Sequence, residues 1–430
     1  MLARLDVRDA RTDLAARLGI GRDGAGPDDA VTDSVAAIVE AVRSRGDAAV
    51  REFTERFDGA VLDRFRVTDD ECRAAVEATP TEVRDALEVA AGRINEYHQA
   101  QVGQPPAAYS ADGVTVTEAI RPVDRAGLYV PGGRAAYPST VLMTSIPARV
   151  AGVPERVLCV PPDPQGRVPD VTLAAAFLTD IDEIYRVGGA QAIAAMAFGT
   201  ESIPAVDVIV GPGNAYVDAA KRLVAGMGVV GIDGPAGPSE LVVIADRSAD
   251  PQQVALDLAA QAEHGPGGTA YVVAWDESVL DNVLDAVLGY LAVAPRAEEI
   301  QSTLTTGGRA VLVRDLDQAV MVSNLVAPEH LELQVEHAAD IVPSIRHAGA
   351  VFIDAPTAIG DYVSGANHVL PTGRAARFSS ALRVDDFRTH MHIVQATNAG
   401  LNAIGPSASL LARAEGLEAH AASVDRRIRR

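Results

Sequence analysis

The sequence has almost no lysine, and this scarcity excludes several kinds of chemistry. Lys221 is the only lysine among 430 residues, so the other basic side chains are arginines. Schiff-base aldolases and pyridoxal-phosphate enzymes need a lysine at the reacting carbon. Lys221 lies instead in the stretch DAAKRL, which also lacks the GxxxxGK[ST] pattern of a phosphate-binding P-loop. We therefore expect neither lysine catalysis nor a P-loop.

Cysteine and long apolar runs are scarce too. Cys72 and Cys159 are the only cysteines, too few for a disulfide framework or a thiolate zinc site. No apolar run reaches the roughly 18–20 residues that span a bilayer. The first residues, MLARLDVRDARTDL, carry charges every few positions, unlike a signal peptide. We expect a soluble, cytoplasmic protein with no membrane partner.

Positive charge is in deficit along the chain. The 37 Lys and Arg residues face 58 Asp and Glu residues, which gives a net charge of −21. Such a chain repels phosphate-rich partners, so no nucleic acid is expected to bind. The apolar fraction of 48% is ordinary for a packed globular protein, and the length predicts roughly two to three domains.

Hydrophobic periodicity predicts an α/β protein. The first hundred residues show helical spacing, and from about 126 to 245 short β-rich runs such as RVLCVPP and DVIVGPGN alternate with helical stretches. A second series has strands near 240–245, 269–275, 308–313 and 349–353. Strands that alternate with helices favour parallel sheets covered on both faces. The last fifty residues return to a helical pattern, and no sequence repeat is evident.

Two glycine turns favour a nucleotide site. VGGAQA (187–192) and VGPGNAY (210–216) each follow a predicted strand and open a predicted helix, where backbone N–H groups can approach a pyrophosphate. The second turn lacks the third glycine of the dinucleotide fingerprint, although Asp233 lies about twenty residues on, where it could meet a ribose. Tight turns that need glycine for backbone geometry alone remain an equal alternative.

Two pairs of polar residues lie next to the ends of predicted secondary-structure elements, one at the end of a helix and one ahead of a strand. Gln261 and His264 are three residues apart at the end of a helix, so they share a face. An amide oxygen and an imidazole suit a divalent metal, but two groups are too few, and a structural role stays open. Glu329 and His330 are adjacent after a proline, ahead of a strand, and offer two acid–base groups of different pKa. A surface role for this pair also stays open.

Two further stretches add candidates. Asp361 and His368 bracket a loop longer than ordinary connectors, which favours a function. Glu415 and His420 lie in the terminal helical region, and a helix that supplies a ligand must be held against the site, either by its own chain or by another subunit. Together these stretches offer a nitrogen and oxygen ligand set for zinc or a similar ion. The set is Gln261, His264, Asp361 and His420.

The other histidines have structural interpretations. His98, His337 and His347 lie in amphipathic stretches beside charged residues, which predicts solvated faces. His390 and His392 alternate in RTHMHIV, as on one face of a strand. None of these five is a candidate for the site.

The ordered motifs of the chain resemble those of the histidinol dehydrogenase family. They are GLYVPGGRAAYPSTVLM, VGGAQAIAAMAFGT, VDVIVGPGNAYVDAAKRLV, GPAGPSELVVIAD, AQAEH, APEHLEL, GDYVSGANHVLPTGRAARFSS and LARAEGLEAHAASV. The resemblance spans roughly residues 115 to 425. Two departures, Gly265 after the candidate ligand and RTHMHIV, touch no candidate site residue and bear on packing or substrate fit.

The resemblance implies a fold and a set of domains. It implies two Rossmann-like parallel-sheet domains with a helical N-terminal arm, residues 1–25, and a small helical tail, residues 382–430, exchanged in a homodimer. The first domain, residues 26–128 and 237–381, would carry the metal and substrate site. The second domain, residues 129–236, would bind NAD.

The resemblance also implies an activity and its residues. L-Histidinol would be oxidised through L-histidinaldehyde to L-histidine, the last steps of histidine biosynthesis, with two NAD molecules consumed and one Zn²⁺ per subunit. The implied zinc ligands are Gln261, His264, Asp361 and His420, the last reaching the partner's site. The implied substrate residues are these four with Ser239, Glu329, His330, His368 and Glu415. The implied NAD contacts are Tyr129, Gln191 and Asn214.

The chemistry of the reaction assigns roles to two of these residues. Hydride leaves the alcohol carbon only as the hydroxyl proton is withdrawn, and a histidine of pKa ~6.5 such as His330 suits that general base. Glu329 would activate the water that hydrates the aldehyde, and zinc would orient the substrate. Two alternatives are a covalent aldehyde dehydrogenase, which needs a reactive thiolate, and a metal-dependent binding protein without turnover.

Overall fold

The computed structural model describes residues 2–21, 29–133, 135–181, 183–234, 237–265 and 267–428. The strands are β1 (Ala3–Asp6), β2 (Tyr109–Ala111), β3 (Val114–Pro122), β4 (Arg125–Tyr129), β5 (Glu155–Cys159), β6 (Glu183–Tyr185), β7 (Val208–Val210), β8 (Gly231–Ile232), β9 (Glu240–Ala245), β10 (Thr269–Ala274), β11 (Gly308–Leu312), β12 (His330–Gln334), β13 (Ala350–Ile353) and β14 (Arg388–Ala396). The helices are α1 (Leu14–Arg17), α2 (Asp29–Arg45), α3 (Asp47–Asp58), α4 (Asp69–Ala78), α5 (Thr81–Ala100), α6 (Pro138–Ala151), α7 (Asp170–Leu178), α8 (Gly189–Phe198), α9 (Ala215–Gly226), α10 (Pro251–Glu263), α11 (Glu277–Leu291), α12 (Ala297–Gly307), α13 (Leu316–Val326), α14 (Ala338–Ile341), α15 (Thr357–Tyr362), α16 (Asn398–Ala414) and α17 (Glu418–Ile428).

Strands β4 to β8 form a parallel sheet with the order β6-β5-β4-β7-β8. Numbered along the chain, this order is 3-2-1-4-5, as in dinucleotide-binding sheets. Its strands are almost continuously apolar because helices cover both faces. One face packs against α2, α3, α8 and α9, and the other packs against α4 to α7.

A six-stranded parallel sheet has the order β1-β11-β10-β9-β12-β13. Its strands β9 to β13 repeat the order 3-2-1-4-5, and β1 adds one strand beside β11. Helices α10 to α12 cover one face, while α1 and α13 cover the other. The prediction of two α/β units with parallel sheets is confirmed.

Two strands lie in segments that the domain assignment described as helical, and the second of them agrees with the strand predicted from RTHMHIV. The N-terminal arm contains β1, which pairs with β11 from Ala3 opposite Arg309. The tail begins with β14, which pairs antiparallel with β3 along its whole length and completes a three-stranded sheet with β2. The alternation in RTHMHIVQA explains β14, since one face of a strand repeats every second residue. Only α16 and α17, which follow β14, form the helical tail.

Helices α2 to α5 pack against the five-stranded sheet. Val39 and Phe53 join one apolar cluster with Ile193, and Ile94 joins another with Leu128. These contacts group residues 29–100 with 129–236, which differs from the predicted boundaries that placed 26–128 with 237–381. The reason is that α2 and α3 share the apolar cluster on one face of that sheet, while α4 and α5 share the cluster on the other face.

Helix α5 is amphipathic and buries a histidine that was expected to be solvated. His98 is 0% exposed, and its Nδ1 lies 2.8 Å from the carbonyl oxygen of Ile94. Its Nε2 faces Asn367 of the loop after α15, so the ring fills the contact between helix and loop. None of the described helices combines the length and apolar character that a membrane span requires.

Candidate active site

Glu329 and His330 lie at the amino edge of the six-stranded sheet. His330 is the first residue of β12 and pairs in register with Leu241 of β9. Because the strands are parallel, Ser239 and Glu240 at the start of β9 lie at the same edge. Glu329 and His330 are 6% and 5% exposed, so the pair that was predicted from sequence is buried, not a surface feature.

The His330 ring lies between two carboxyl groups. Its Nδ1 is 3.6 Å from Glu329 Oε2, and its Nε2 is 3.9 Å from Asp361 Oδ1. Both distances exceed a hydrogen bond, and Nδ1 is buried without a partner. Burial lowers the pKa of His330, although the charge of Asp361 opposes this effect. The ring is therefore neutral at physiological pH and free to accept a proton.

Glu329 is held by the start of β9. Its Oε2 accepts a hydrogen bond from the Glu240 N–H at 3.1 Å. Burial raises the pKa of Glu329 to about 8, against the lowering effects of that N–H, the charge of His264 and the Ser239 side chain. Ser239 thus lies beside Glu329.

Glu240 is a site residue that sequence reasoning missed. Burial and the charge of Glu329 raise the pKa of its carboxyl group to about 7, and its Oε2 is buried without a partner. Two carboxyl groups therefore lie near each other beside His330. The only signal in the sequence was its position next to Ser239.

Helix α10 delivers two candidate ligands to the same edge. Gln261 is 4% exposed with its Nε2 unpartnered, and His264 caps the end of the helix. Burial raises the pKa of Asp361, while the charges of His330 and His264 lower it, so these side chains are neighbours. A helix C-terminus favours a cation. Gln261, His264 and Asp361 thus form an oxygen and nitrogen set that fits a divalent metal.

The tail residues lie apart from this cluster within one chain. Glu415 and His420 are exposed on the α16–α17 hairpin, which packs on itself and against β14. Among the residues with described placements, no three His, Cys, Asp or Glu side chains lie close enough to hold a metal ion. The chain therefore brings together three of the four predicted ligands, of which one is an amide.

His368 connects the site to the five-stranded unit. Its Nε2 lies 3.1 Å from Thr140 Oγ1 in α6, and its Nδ1 lies 2.9 Å from the carbonyl oxygen of Asp361. Burial lowers the pKa of His368 to about 4, so the ring is neutral. The amino edge of one sheet thus meets α6, the helix that follows β4 of the other.

The three predicted NAD residues lie at the carboxyl edge of the five-stranded sheet. Tyr129 ends β4, and its hydroxyl accepts a 3.0 Å hydrogen bond from the N–H of Gly189 at the start of α8. Asn214 caps α9, where its side chain accepts from two backbone N–H groups. Gln191 is 1% exposed, and neither atom of its amide has a partner. A ligand with donors and acceptors would satisfy that amide.

The turn after β7 depends on Gly211. Its φ of 119° favours glycine, and a Cβ there would collide with the carbonyl oxygen of Tyr129. Asp233 supports this turn by accepting from the Gly211 N–H at 2.8 Å and by pairing with Lys221, both side chains being buried. Asp233 is therefore structural, and the interpretation that it meets a ribose is wrong.

Neither thiol has the surroundings of a nucleophile. Cys72 and Cys159 are both buried and free. Burial raises the pKa of Cys72, and it raises that of Cys159 to about 12. A covalent aldehyde dehydrogenase needs a thiolate near neutral pH, so the structure disfavours that alternative.

Comparison with known proteins places the chain in a family. A family model described as histidinol dehydrogenase matches residues 23–428. The chain belongs to the histidinol dehydrogenase family. The match includes every predicted site residue, from Tyr129 to His420.

Individual relatives are similar in sequence to this chain over nearly their whole length. The histidinol dehydrogenase of Parasynechococcus marenigrum is 50% identical over 400 residues, 93% of this chain and 91% of the relative. That of Pseudomonas aeruginosa is 48% identical over 406 residues, 93% of this chain and 92% of the relative. The crystal structure of histidinol dehydrogenase from Elizabethkingia anophelis is 36% identical with a TM-score of 0.93, and covers 100% of this chain and 98% of that one.

Proposed function

We propose that this protein oxidises L-histidinol through L-histidinaldehyde to L-histidine, the last steps of histidine biosynthesis, with NAD and one Zn²⁺ per subunit. The observation that carries the proposal is the neutral His330 ring with its unpartnered Nδ1, which lies between the carboxyl groups of Glu329 and Asp361, in a chain of the histidinol dehydrogenase family.

The donor set supports zinc as the metal. Gln261 and Asp361 offer oxygen ligands and His264 a nitrogen ligand, with no thiolate nearby, and His420 of the partner subunit would complete the set. Bound zinc would supply a template for the substrate's imidazole and amino nitrogens. The exposed position of His420 on a separate hairpin supports a homodimer, because one chain alone leaves the set incomplete.

His330 would serve as the general base of the first oxidation. Its ring is neutral because burial lowers its pKa, and Nδ1 has no partner that competes for the substrate proton. Withdrawal of the alcohol proton by a positioned base typically contributes 10²–10⁴-fold in rate. Ser239, His368 and Glu415 would line the substrate pocket, the last from the hairpin that also carries His420.

Glu329 would activate the water that adds to the aldehyde. Its pKa of about 8 leaves it mostly protonated at pH 7, so it must first lose its proton before it can take one from water. The carboxyl group of Glu240 lies near Glu329 and would accept that proton. His330 would then withdraw a proton from the resulting hydrate in the second oxidation.

Tyr129, Gln191 and Asn214 would hold NAD at the carboxyl edge of the five-stranded sheet. The N-termini of α8 and α9 point their N–H groups to this edge, which suits a pyrophosphate. Two NAD molecules would each accept one hydride, so that the alcohol becomes an aldehyde and its hydrate a carboxylate. We also propose a cytoplasmic location, which the two free thiols support.

The test is an assay of NAD reduction on purified, zinc-loaded protein. We expect the absorbance at 340 nm to rise when histidinol is added, with two NADH formed for each histidine. No NADH formation, with metal bound and NAD present, would favour a binding protein without turnover and overturn the proposal.

Replacement of His420 tests the ligand set. We expect His420→Asn to lose zinc and activity while circular dichroism shows the α/β core intact, because the hairpin packs apart from both parallel sheets. His337→Asn, at an exposed histidine beyond the carboxyl end of β12, is the control. If metal analysis of the His420 variant finds zinc at the wild-type level, the ligand assignment is wrong.

A further inference from the structure

The five-stranded sheet lacks the acidic residue that usually binds a ribose. In sheets of order 3-2-1-4-5, a carboxylate about twenty residues after the glycine turn, near the end of the second strand, accepts from the ribose 2′-hydroxyl. Here the second strand is β5, and the loop after it offers only Asp163. That carboxylate is occupied by the N–H groups of Gln165 and Arg167 and by the Arg167 side chain. Asp233 is occupied by Lys221.

Another carboxylate lies at this edge from outside the sheet. Asp58 is the last residue of α3, and the following Gly59 lies beside Pro164 in the loop after β5, since a Cβ on the glycine would be 3.7 Å from that ring. Asp58 is half-buried, and its Oδ2 is shielded from solvent without a hydrogen-bond partner. Its position therefore matches the end of the second strand.

Neighbouring side chains share this lack of partners. Thr54 lies one turn before Asp58 on the same face of α3, is 0% exposed, and has an unpartnered Oγ1. Helix α3 packs against α8, whose Gln191 amide is buried and unpartnered at both atoms. The negative charge of Asp58 also helps to raise the pKa of Tyr129. Asp58 thus lies near Tyr129, and its helix packs against the helix that carries Gln191.

We propose that Asp58 binds the adenosine ribose of NAD through its 2′- and 3′-hydroxyl groups. A shielded carboxylate oxygen without a donor destabilises the free protein, and a ribose diol supplies O–H donors that relieve this cost. The same carboxylate repels a 2′-phosphate, so Asp58 sets the preference for NAD over NADP. This inference rests on the proposed use of NAD.

The ionisation of Asp58 is consistent with this role. Burial raises the pKa of its carboxyl group to about 6. At neutral pH the group is therefore mostly the carboxylate, which is the form that accepts hydrogen bonds from hydroxyl groups.

The experiment is calorimetry of NAD binding to zinc-loaded protein without histidinol. Asp58→Asn should weaken NAD binding by roughly 10–100-fold, the range for a hydrogen bond to a charged group. Steady-state assays should show a smaller difference between NAD and NADP in KM, with an unchanged KM for histidinol. Asp63→Asn, an exposed aspartate five residues along, removes the same charge and should bind NAD as wild type does.

A second measurement needs no variant and therefore does not depend on folding. Wild-type protein should bind NAD that lacks the adenosine 2′-hydroxyl ~10-fold more weakly than NAD itself. Equal affinities for the two dinucleotides, or an Asp58→Asn variant that matches wild type for NAD and NADP, would overturn the inference. If wild-type protein binds no NAD at all, the proposed function fails instead.

Discussion

The five-stranded sheet and strands β9 to β13 share one strand order, yet their candidate functional groups lie at opposite edges. In the five-stranded sheet, Tyr129 and Gly211 lie at the carboxyl ends of β4 and β7. In the six-stranded sheet, Glu329 and His330 lie at the amino end of β12. The two edges differ electrostatically, because helices begin at the first and end at the second.

That difference matches what each edge would hold. The N-termini of α8 and α9 present their positive dipole ends to the carboxyl edge of the five-stranded sheet, which suits a pyrophosphate. The C-terminus of α10 carries His264 and presents the negative dipole end, which suits a cation. One topology can thus provide an anion site or a cation site, depending on which edge carries the polar side chains.

The largest effect is expected from a substitution that impairs chemistry at the amino edge of the six-stranded sheet but leaves NAD binding at the carboxyl edge of the five-stranded sheet unchanged. His330→Asn removes the proposed base, so kcat for histidinol should fall ~10²–10⁴-fold. Because His330 lies at the other sheet's edge, the Kd for NAD and the zinc content should stay at wild-type values. A variant within threefold of wild-type kcat would remove His330 from the mechanism.

The converse substitution changes only the carboxyl edge of the five-stranded sheet. Gly211→Ala forces a Cβ against the Tyr129 carbonyl and strains a φ of 119°, at a cost of about 1–3 kcal/mol. We expect the KM for NAD to rise about tenfold and the KM for histidinol to stay unchanged. Gly226→Ala, at the end of α9 with open space around it, is the matched control. Equal changes in both KM values would contradict separate edges.

The pH dependence of aldehyde oxidation gives a smaller effect. Glu329 has a pKa of about 8 and acts on water only when deprotonated, so its active fraction increases as the pH rises. With histidinaldehyde as substrate, the rate should increase about fivefold from pH 7 to pH 8, nearly double again by about pH 9 and then level off. Glu329→Gln should abolish this step and its pH dependence. A rate that falls over this interval would show that Glu329 acts in its protonated form.

The smallest expected effect tests whether the carboxyl edge carries any chemistry of its own. Cys159 ends β5 at that edge, but its thiol is buried and its pKa is raised to about 12. The double variant Cys72→Ser with Cys159→Ser should keep kcat within about twofold of wild type, apart from any loss of stability. An inactive but folded double variant would instead indicate covalent catalysis.

Local patterns in the sequence predicted much of the fold. Glycine turns after apolar runs located the ends of β6 and β7, and helical spacing placed Gln261 and His264 at the end of α10. The pairing of Glu329 with His330 was visible because the two are adjacent. These features depend on neighbours along the chain, which the sequence displays directly.

Features that depend on long-range packing could not be predicted. The shared strand order of the two sheets leaves no sequence repeat, because topology constrains the connections and not the side chains. The polar alternation of β14 gave no sign of its partner β3, and the burial of His98 depends on Asn367 far along the chain. Likewise, Glu240 and Asp58 became candidates only once one oxygen of each carboxyl group was found buried without a partner.

The central claim is that the dinucleotide binds the five-stranded sheet while the acid–base pair acts from the six-stranded one. A crystal structure of the zinc-loaded protein with histidinol and NAD tests it most directly. We predict the pyrophosphate at the N-termini of α8 and α9, with the nicotinamide facing His330. A dinucleotide bound instead beyond Ala245 and Gln334, at the carboxyl edge of the six-stranded sheet, would contradict the account.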